Sequence, residues 1–222
     1  MYNKNLKMNL ALIGGGDHTL EIVNYIIDDG KLYRKIENIF IVDSKKKNFG
    51  LLKQLSKKIR FFNNIKKIKK NRNLKACISF GEPKLRKISY IELKKNKIPL
   101  MSIIHKTSYI SRNAIISSGT IIAPNCVVAP LANIKENVLI NSGAIVGHHS
   151  VVEKHSVMSP NSFIGGHSKV GQICFLGANS SVMPKIMIKE SSRLSASSVL
   201  YKNAEKFTLS HGNPAKSKKF YK

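Results

Sequence analysis

Residues 134–164 read IKENVLINSGAIVGHHSVVEKHSVMSPNSFI and place an aliphatic side chain at every sixth position. The same register runs from Ile110 to Leu200 through sixteen consecutive aliphatic residues. A second register, two residues ahead of each aliphatic, begins at Ser108 and holds mostly small residues. Neither an α-helix, with about 3.6 residues per turn, nor the alternation of a β-strand produces a strict period of six. The period therefore predicts a solenoid of short strands and tight corners, with the aliphatics inside.

Three hexads make one triangular coil of about eighteen residues, so the repeat predicts about five coils. Proline and glycine fall at corner-type positions, where they end strands without interrupting the stack. These corner residues are Pro124, Pro130, Pro160, Gly165, Gly171, Gly177 and Pro184. The solenoid is predicted to occupy residues 103–222, with a C-terminal tail at its end.

Residues 1–102 show a different pattern, in which short apolar strands alternate with helices. Residues 8–27, MNLALIGGGDHTLEIVNYII, predict a strand, a glycine turn and a helix. Residues 36–44, IENIFIVDS, predict a second strand, and residues 74–93 predict a further strand with a helix after its proline. The lysine-rich residues 53–75 are interpreted as a solvated helix and loop with one short strand near 60–62. The pattern is typical of an α/β domain built from βαβ units.

Composition bounds the class of protein before any motif is considered. The chain has 222 residues, of which 42% are hydrophobic and 23% charged, enough to bury a core. It contains no run of about 18 apolar residues and no apolar N-terminal signal, so we expect a cytoplasmic protein without membrane insertion. Cys77, Cys126 and Cys174 form no CxxC pair, which argues against a disulfide framework or a thiolate zinc site.

The charge is strongly positive, with 38 basic against 12 acidic residues and a net charge of +26. Such a balance raises a nucleic-acid hypothesis. The excess is spread over both halves of the chain, however, and lysine far outnumbers arginine, whereas nucleic-acid readers favour arginine with interleaved aromatics. We therefore expect no nucleic-acid partner.

Five motifs together resemble the bacterial nucleotide-sugar N-acetyltransferases that carry left-handed β-helices. They are GGGDH at 14–18, IVD at 41–43, SFG at 79–81 with an arginine five residues after its glycine, SIIHKTSYIS at 102–111 and HGNPAK at 211–216. UDP-4-amino-sugar N-acetyltransferases and sialic-acid O-acetyltransferases share this architecture, and the resemblance covers residues 8–217. It implies a Rossmann-like nucleotide-sugar-binding domain over 1–102, a left-handed parallel β-helix of hexapeptide repeats over 103–222, acetyl-CoA as co-substrate and a homotrimer.

The glycine turn after the first strand is a candidate anion site. Its backbone amides, with a helix N-terminus behind them, suit a diphosphate. A dinucleotide fingerprint would have glycine where Thr19 stands, so NAD and FAD are disfavoured. The alternative is a plain βα turn in which the glycines only allow tight packing. The resemblance implies a nucleotide-sugar cleft formed by Gly14, Gly15, Gly16, Asp17, His18, Asp43, Gly81 and Arg86.

His148 is the candidate catalytic residue, because it follows the inward Val146 by two positions and should lie at a corner facing solvent or a neighbouring subunit. Amide formation from an amino sugar needs a base, and a neutral imidazole is suited to that task near pH 7. The alternative is a histidine that only makes structural hydrogen bonds. The resemblance assigns His148 the role of general base.

The chain departs from the family at two supporting positions. His149 stands where a carboxylate usually orients the catalytic histidine, and Val157 matches a second histidine that contacts the thioester end of CoA. Glu153 and Asn141 are alternative orienting groups, and His155 lies nearby in sequence.

The oxyanion of the tetrahedral intermediate needs a fixed donor, and the backbone amides of a glycine corner such as Gly165-Gly166 are suited to supply it. The resemblance places Gly166 beside the acetyl group and Ala178 and Ala196 along the pantetheine of CoA. The alternative for each residue is simple corner packing.

Two other function classes remain open on the residues alone. His149 and His167 are eighteen residues apart and should stack on successive coils about 4.8 Å apart, as in a carbonic-anhydrase-like metalloenzyme. A third ligand would have to come from another subunit, or from His148 or His155. The second class is a scaffold without activity. Our main hypothesis is a metal-free N-acetyltransferase that acts on a nucleotide-linked 4-amino-deoxy sugar for bacterial surface glycans, with sialic-acid-type O-acetylation as the closest alternative.

Overall fold

The computed structural model describes residues 7–68 and 73–220. Its first part is a four-stranded parallel sheet in the order β3-β2-β1-β4, with helices along the connections. The elements are β1 (Met8–Ile13), α1 (Asp17–Asp28), α2 (Gly30–Lys35), β2 (Ile36–Val42), α3 (Phe49–Leu55), β3 (Ile59–Phe62), a 3₁₀ turn (Ile65–Lys67), β4 (Leu74–Ile78) and α4 (Pro83–Lys95). The strands and helices predicted for this part are confirmed, although part of the lysine-rich segment lies outside the described residues.

The strand β1 is central in this sheet, which explains its unbroken apolar sequence. Leu10, Ala11 and Leu12 are all fully buried, as expected for a parallel strand with both faces covered. The helix α1 packs its own buried residues, among them Ile22 and Ile26, into the same core. No helix in the described ranges is long and apolar enough to cross a membrane.

The second part is a β-helix whose two-residue strands stack in parallel into three sheets, with successive two-residue strands of a sheet eighteen residues apart. A five-residue strand and its antiparallel partner extend one of these sheets at the C-terminal end. We name the sheets by their outer faces. The outer face of the covered sheet packs against the first part of the chain, that of the apolar sheet carries mostly hydrophobic side chains, and that of the mixed sheet carries both hydrophobic and polar side chains. The covered sheet holds β5 (Ile103–Ile104), β8 (Ile121–Ile122), β11 (Leu139–Ile140), β14 (Val157–Met158), β17 (Phe175–Leu176), β20 (Arg193–Leu194), β22 (Thr208–Gly212) and β23 (Ala215–Lys219). The apolar sheet holds β6 (Tyr109–Ile110), β9 (Val127–Val128), β12 (Ile145–Val146), β15 (Phe163–Ile164), β18 (Ser181–Val182) and β21 (Val199–Leu200). The mixed sheet holds β7 (Ile115–Ile116), β10 (Asn133–Ile134), β13 (Val151–Val152), β16 (Lys169–Val170) and β19 (Met187–Ile188).

The six-residue register of aliphatics fills the interior, as predicted. From Ile122 to Leu200 every member of the register is buried, while Ile110 and Ile116 at the open end are partly exposed. The three cysteines are buried free thiols, in agreement with the sequence.

The small residues of the second register connect one coil to the next. The Ser150 hydroxyl donates to the Gly165 carbonyl at 2.7 Å and accepts the Ser168 N–H at 3.3 Å. Ser156 makes the same pair of bonds, donating to Gly171 and accepting from Cys174. Each of these side chains satisfies backbone groups that the corner leaves unpaired in a buried place, which explains why serine is so frequent there.

The corners place one residue per hexad in the left-handed backbone region. Asn137, His149 and Asn161 have φ values of 57°, 59° and 56°. Asparagine tolerates this conformation better than most residues, so its recurrence at the corners has a local cause. Gly165 has a different reason, since a Cβ atom there would lie 2.5 Å from the backbone nitrogen of Pro184 in the next coil.

The first part of the chain packs against the outer face of the covered sheet. The outward residues Ile121, Leu139 and Val157 are at most 2% exposed, although they point away from the interior of the β-helix. The helix α4 and the loop before it contribute polar contacts at the rim, including an ion pair of 2.5 Å between Glu82 and Arg193.

Arg86 in α4 makes fully buried polar contacts with Asn137 across this interface. It is fully buried, and its guanidinium donates to the carbonyls of Ile78, Phe80 and Asn137 and to the Asn137 side-chain oxygen, at 2.7 to 3.0 Å. The Asn137 amide donates in return to the Arg86 carbonyl at 3.0 Å. Burial lowers the pKa of Arg86 to about 10, which leaves it charged at neutral pH. This cluster fixes α4 to one corner of the β-helix.

Replacing Arg86 by methionine should therefore destabilise the fold. Arg86→Met keeps most of the side-chain volume but leaves four buried oxygen acceptors without their charged donor. We expect a loss of about 3 kcal/mol or more in the free energy of unfolding. Urea unfolding followed by circular dichroism measures it, with the exposed Arg112→Met as the matched control. Equal stability of the two variants would contradict the role given to Arg86.

Candidate functional site

The glycine loop between β1 and α1 is held in place by two hydrogen bonds of its own backbone. The Gly14 N–H donates to the Val42 carbonyl at 2.9 Å, and the Gly15 N–H donates to Asp43 Oδ2 at 2.7 Å. Gly14 has a φ of 117°, a conformation open to glycine. Within the described residues, the Gly16 amide donates no hydrogen bond, and a Cβ atom on Gly16 would meet nothing within 4 Å. The loop therefore presents a free amide and open space at the start of α1.

Asp43 and Asp17 serve this loop in different ways. Asp43 accepts from Gly15 and also from the Lys45 N–H at 3.1 Å, so its carboxylate holds the loop in shape. Asp17 is exposed and accepts from the Asn48 side chain at 2.7 Å, which connects α1 to the segment after β2. Both residues lie where the resemblance predicts a cleft.

Thr19 replaces the third glycine of a dinucleotide fingerprint and has a structural task. Its hydroxyl lies 3.0 Å from the Gly14 carbonyl and 3.0 Å from Ser79 Oγ, and Ser79 in turn donates to the Ile13 carbonyl at 2.9 Å. These buried bonds fix the ends of β1 and β4 beneath the glycine loop.

His18 has one nitrogen engaged and one free. Its Nδ1 lies 3.2 Å from Glu21 Oε2, which also accepts from the Tyr25 hydroxyl at 3.1 Å. The other nitrogen, Nε2, is buried and has no partner in the described part of the chain. Burial, with a further contribution from the charge of Arg86, lowers the pKa of His18 against the opposing effect of Glu21. When the Nδ1–H of His18 is donated to Glu21, Nε2 is a neutral acceptor that has no donor among the described residues.

The structure does not bring every predicted cleft residue to the surface. Gly81 is exposed after β4, and a Cβ atom there would meet nothing within 4 Å. Arg86, in contrast, is fully buried with its donors given to Ile78, Phe80 and Asn137. Its reach to a ligand is blocked by the contacts that fix α4, so the expectation that it lines the cleft is replaced by a structural role.

Three exposed histidines and a half-buried glycine form what we call the histidine edge, at the corners between the apolar and mixed sheets: His148, His149, Gly166 and His167. His148 Nδ1 lies 3.0 Å from His149 Nδ1, and the rings of His149 and His167 stack with centroids 4.5 Å apart and planes 14° apart. The predicted stacking of residues eighteen apart is therefore confirmed. The His148 ring meets the His167 ring edge-on at 5.1 Å.

Gly166 lies directly against the imidazole of His148. A Cβ atom on Gly166 would come 2.6 Å from the His148 ring, so only glycine leaves room for the ring in this position. The Gly165 N–H donates to the Val182 carbonyl at 2.8 Å, whereas the Gly166 N–H donates to no described residue. One corner thus holds both the imidazole of His148 and a glycine whose N–H has no acceptor among the described residues.

Ala178 and Ala196 lie eighteen residues apart at another set of corners, between the covered and apolar sheets, which we call the alanine edge. Ala178 is half-buried and Ala196 is exposed, and neither amide donates a hydrogen bond to a described residue. The histidine edge and the alanine edge border opposite sides of the apolar sheet. Within one chain, the residues predicted to contact CoA are therefore separated by the width of that sheet.

The groups considered as supports for His148 lie elsewhere. Glu153 pairs with Lys169 at 3.4 Å, and Asn141 accepts the Ser142 N–H at 2.8 Å. Val157 is buried in the covered sheet, away from the histidine edge. The group that contacts His148 Nδ1 is His149.

His155 belongs to the interface with the first part of the chain. Its Nδ1 lies 2.9 Å from the Asn137 side-chain amide, and its ring lies 4.8 Å from that of Tyr90. The sequence analysis missed Asn137, which binds both Arg86 and His155. The sequence signal for Asn137 is an asparagine at a left-handed corner. This signal does not single out Asn137, because several other corners also carry asparagine.

The pH dependence of stability should reveal His155. Burial, followed by the charge of Arg86, lowers the pKa of His155 from 6.5 to about 4. Between these two pKa values the unfolded chain binds more protons than the folded chain, so the free energy of unfolding rises with pH. The contribution of His155 to stability is fully present above about pH 6.5 and is lost as the pH falls towards 4. We expect a loss of about 2–3 kcal/mol from this group, measured by urea unfolding at pH 7 and 4.5.

The control for this experiment is a histidine that is exposed. His155→Gln should flatten the pH dependence in part, because His18 contributes in the same direction. The exposed His211→Gln should keep the dependence of the natural chain. An unchanged slope in His155→Gln would show that His155 does not titrate as described.

Comparison with known proteins adds three solved structures with this architecture. A histidine-to-asparagine mutant of perosamine N-acetyltransferase from Caulobacter crescentus, in complex with CoA and GDP-perosamine, matches with a TM-score of 0.83 and 20% identity over 95% of this chain and 96% of that one. The acetyltransferase domain of PglB from Neisseria gonorrhoeae matches with a TM-score of 0.80 and 19% identity over 95% and 99%. WeeI from Acinetobacter baumannii matches with a TM-score of 0.82 and 15% identity over 95% and 100%.

The chain has the fold of these acetyltransferases. A family model described as the GMPPB C-terminal domain matches residues 99–206, which is the β-helix. A search of curated protein sequences finds no match. At identities of 20% or less the structural likeness establishes the fold, and the chemistry has to be argued from the residues of this chain.

Proposed function

We propose that the protein is an acetyl-CoA-dependent N-acetyltransferase that acts on the amino group of a nucleotide-linked amino sugar. The observation that carries the proposal is the corner where the His148 imidazole lies against Gly166, whose N–H donates to no described residue. A base and an oxyanion donor side by side are what acyl transfer from a thioester to an amine requires. The neighbour from Caulobacter crescentus, solved with CoA and GDP-perosamine, supports these ligand classes.

The steps follow from the chemistry of this corner. The sugar amine attacks the thioester carbonyl, the N–H of Gly166 stabilises the oxyanion, and Nε2 of His148 takes the proton that the nitrogen loses. Collapse of the intermediate forms the amide and breaks the C–S bond, and the imidazolium returns the proton to the CoA thiolate. For Nε2 to act as the base, Nδ1 must keep its hydrogen, and His149 Nδ1 at 3.0 Å is its acceptor. His149 is therefore a positioning residue.

The nucleotide is proposed to bind at the glycine loop of a Rossmann-like domain that spans residues 1–102. The free amide of Gly16 and the N-terminus of α1 suit a diphosphate, and Nε2 of His18 suits a hydroxyl or N–H of the ligand. Asp43 shapes the loop, and Gly81 leaves open space at its side. The catalytic part, residues 103–222, is proposed to be a left-handed β-helix. The cytoplasm is the proposed compartment, since acetyl-CoA is available there.

Replacing His148 tests the reaction. His148→Ala should lower turnover by about 10² to 10⁴, the usual contribution of a general base, with little change in the KM for acetyl-CoA. Release of the CoA thiol with a panel of nucleotide 4-amino sugars measures it, and a sialic acid in the same panel tests O-acetylation. The exposed His211→Ala is the control. Near-normal turnover of His148→Ala would reject His148 as the base.

We further propose a homotrimer, because within a single chain the histidine edge lies apart from the glycine loop and the alanine edge. The first part of the chain covers one sheet, and the histidine edge is the corner opposite that sheet in the triangular coil. The outer face of the apolar sheet is an exposed hydrophobic surface beside this edge, with Tyr109 62% and Ile145 40% exposed. Its outward residues are Tyr109, Val127, Ile145, Phe163, Ser181 and Val199.

Packing of this face against a second copy would bring the histidine edge of one chain towards the glycine loop and alanine edge of another. Three-sided prisms close into rings through such heterologous contacts, and a trimer of this chain would have a mass of about 74 kDa, three times 24.8 kDa. The pantetheine would then lie along Ala178 and Ala196, and the acetyl group would reach Gly166.

Complementation between two inactive variants tests the shared site. Gly16→Val fills the open space of the glycine loop without a clash in the chain, and His148→Ala removes the base. Each variant alone should be nearly inactive. Co-expressed chains should regain a measurable fraction of the activity, because some sites then combine an intact loop with an intact base. Absence of recovery in mixed oligomers verified by mass spectrometry would place the whole site within one chain.

A further inference from the structure

The histidine edge has a property that acetyl transfer does not use. His148, His149 and His167 each offer one ring nitrogen, and these three atoms lie within 4.8 Å of one another. In the described ranges, no other three histidine, cysteine or acidic side chains meet in this way. All three residues are exposed, so a dissolved ion has access to them.

The spacing of the three nitrogens is close to that of a tetrahedral metal site. Zinc–nitrogen bonds of about 2.0–2.1 Å place two tetrahedral ligands about 3.3 Å apart. His148 Nδ1 and His149 Nδ1 already lie 3.0 Å apart, and His167 has to move its ring by only about 1–2 Å. Because exposed rings turn readily about their side-chain bonds, this change leaves the backbone where it is.

The backbone beneath the cluster is rigid. The His167 N–H donates to the His148 carbonyl at 2.9 Å, and the His149 N–H donates to the Pro130 carbonyl at 3.1 Å. Three successive coils are thereby connected under the three rings. The ligand set is held together before an ion arrives, which reduces the entropy cost of binding.

The donor set selects the kind of ion. Three imidazoles without a carboxylate suit Zn²⁺, Co²⁺, Ni²⁺ and Cu²⁺ and disfavour Mg²⁺ and Ca²⁺, which prefer oxygen. The charge of Lys185, on the next coil, acts on His167 and opposes a bound cation.

We infer that His148, His149 and His167 bind one divalent ion of the zinc class, and that the bound ion inhibits acetyl transfer reversibly. The inhibition rests on the proposed function, because the metal occupies a lone pair of His148 or turns its ring away from Gly166. The binding itself depends only on the geometry of the three rings. The fourth position of the ion is left to water.

Binding is tested on the untagged full-length protein with Co²⁺ and Zn²⁺. The visible absorption of bound Co²⁺ reports imidazole ligands, and competition with a chromophoric chelator gives the affinity for Zn²⁺. The natural chain and His211→Ala should bind one ion per chain with equal affinity. His149→Ala and His167→Ala should bind at least about tenfold more weakly. Equal affinity in all four proteins, or no binding below about 0.1 mM, would overturn the site.

Inhibition is tested separately by CoA release with added Zn²⁺. The natural chain should lose activity at the concentration that fills the site and regain it with EDTA, and the concentration for half inhibition should rise at least tenfold in His167→Ala. Unaltered inhibition in His167→Ala would overturn the link to catalysis. If no substrate is turned over at all, the proposed function fails while the Co²⁺ spectra still decide the metal site.

Discussion

The stacking of coils eighteen residues apart is the constraint on which the rest of this structure depends. Backbone hydrogen bonds between coils, such as that from the Gly147 N–H to the Ile164 carbonyl at 2.7 Å, fix one coil on the next. The buried serines add bonds to corner carbonyls and amides that the backbone bonds leave unpaired. Since every coil follows the same path as the coil before it, residues eighteen apart must become neighbours on successive coils. The stacked rings of His149 and His167 are a direct consequence.

The second constraint is the buried contact through which Arg86 fixes the α/β part to the β-helix. Arg86 carries a buried charge that has no acidic partner among the described residues and donates only to carbonyl and amide oxygens. Arg86 tolerates little movement, because each lost hydrogen bond leaves a charge or a carbonyl unsatisfied in a site that water does not reach. The contact determines which sheet is covered. It thereby also determines that the histidine edge lies on the opposite corner of the coil.

Sequence reasoning reached the repeat, the interior residues and the stacking of His149 on His167, because each of these follows from a period that is local and strict. It did not reach the burial of Arg86 or Val157. Both depend on which sheet the first part of the chain covers, and a repeat whose three sheets have similar sequences contains no local signal for that choice. The motif around Arg86 indicated a cleft, whereas the hydrogen bonds to Asn137 show a structural contact fifty-one residues away. Long-range polar contacts of this kind leave no periodic trace.

His149 stands where the resemblance predicts a carboxylate, and this difference links the two proposals for the histidine edge. A carboxylate beside a catalytic imidazole would stabilise its protonated form, while a neutral imidazole accepts the same Nδ1 hydrogen without offering a negative charge. His149 is therefore expected to orient the His148 ring without placing a negative charge beside it. The same substitution supplies a second nitrogen donor 3.0 Å away, where a single imidazole would have held a metal poorly. In this chain, the group that we propose to orient the base is also one of the three proposed metal ligands, so both properties should change together whenever residue 149 changes.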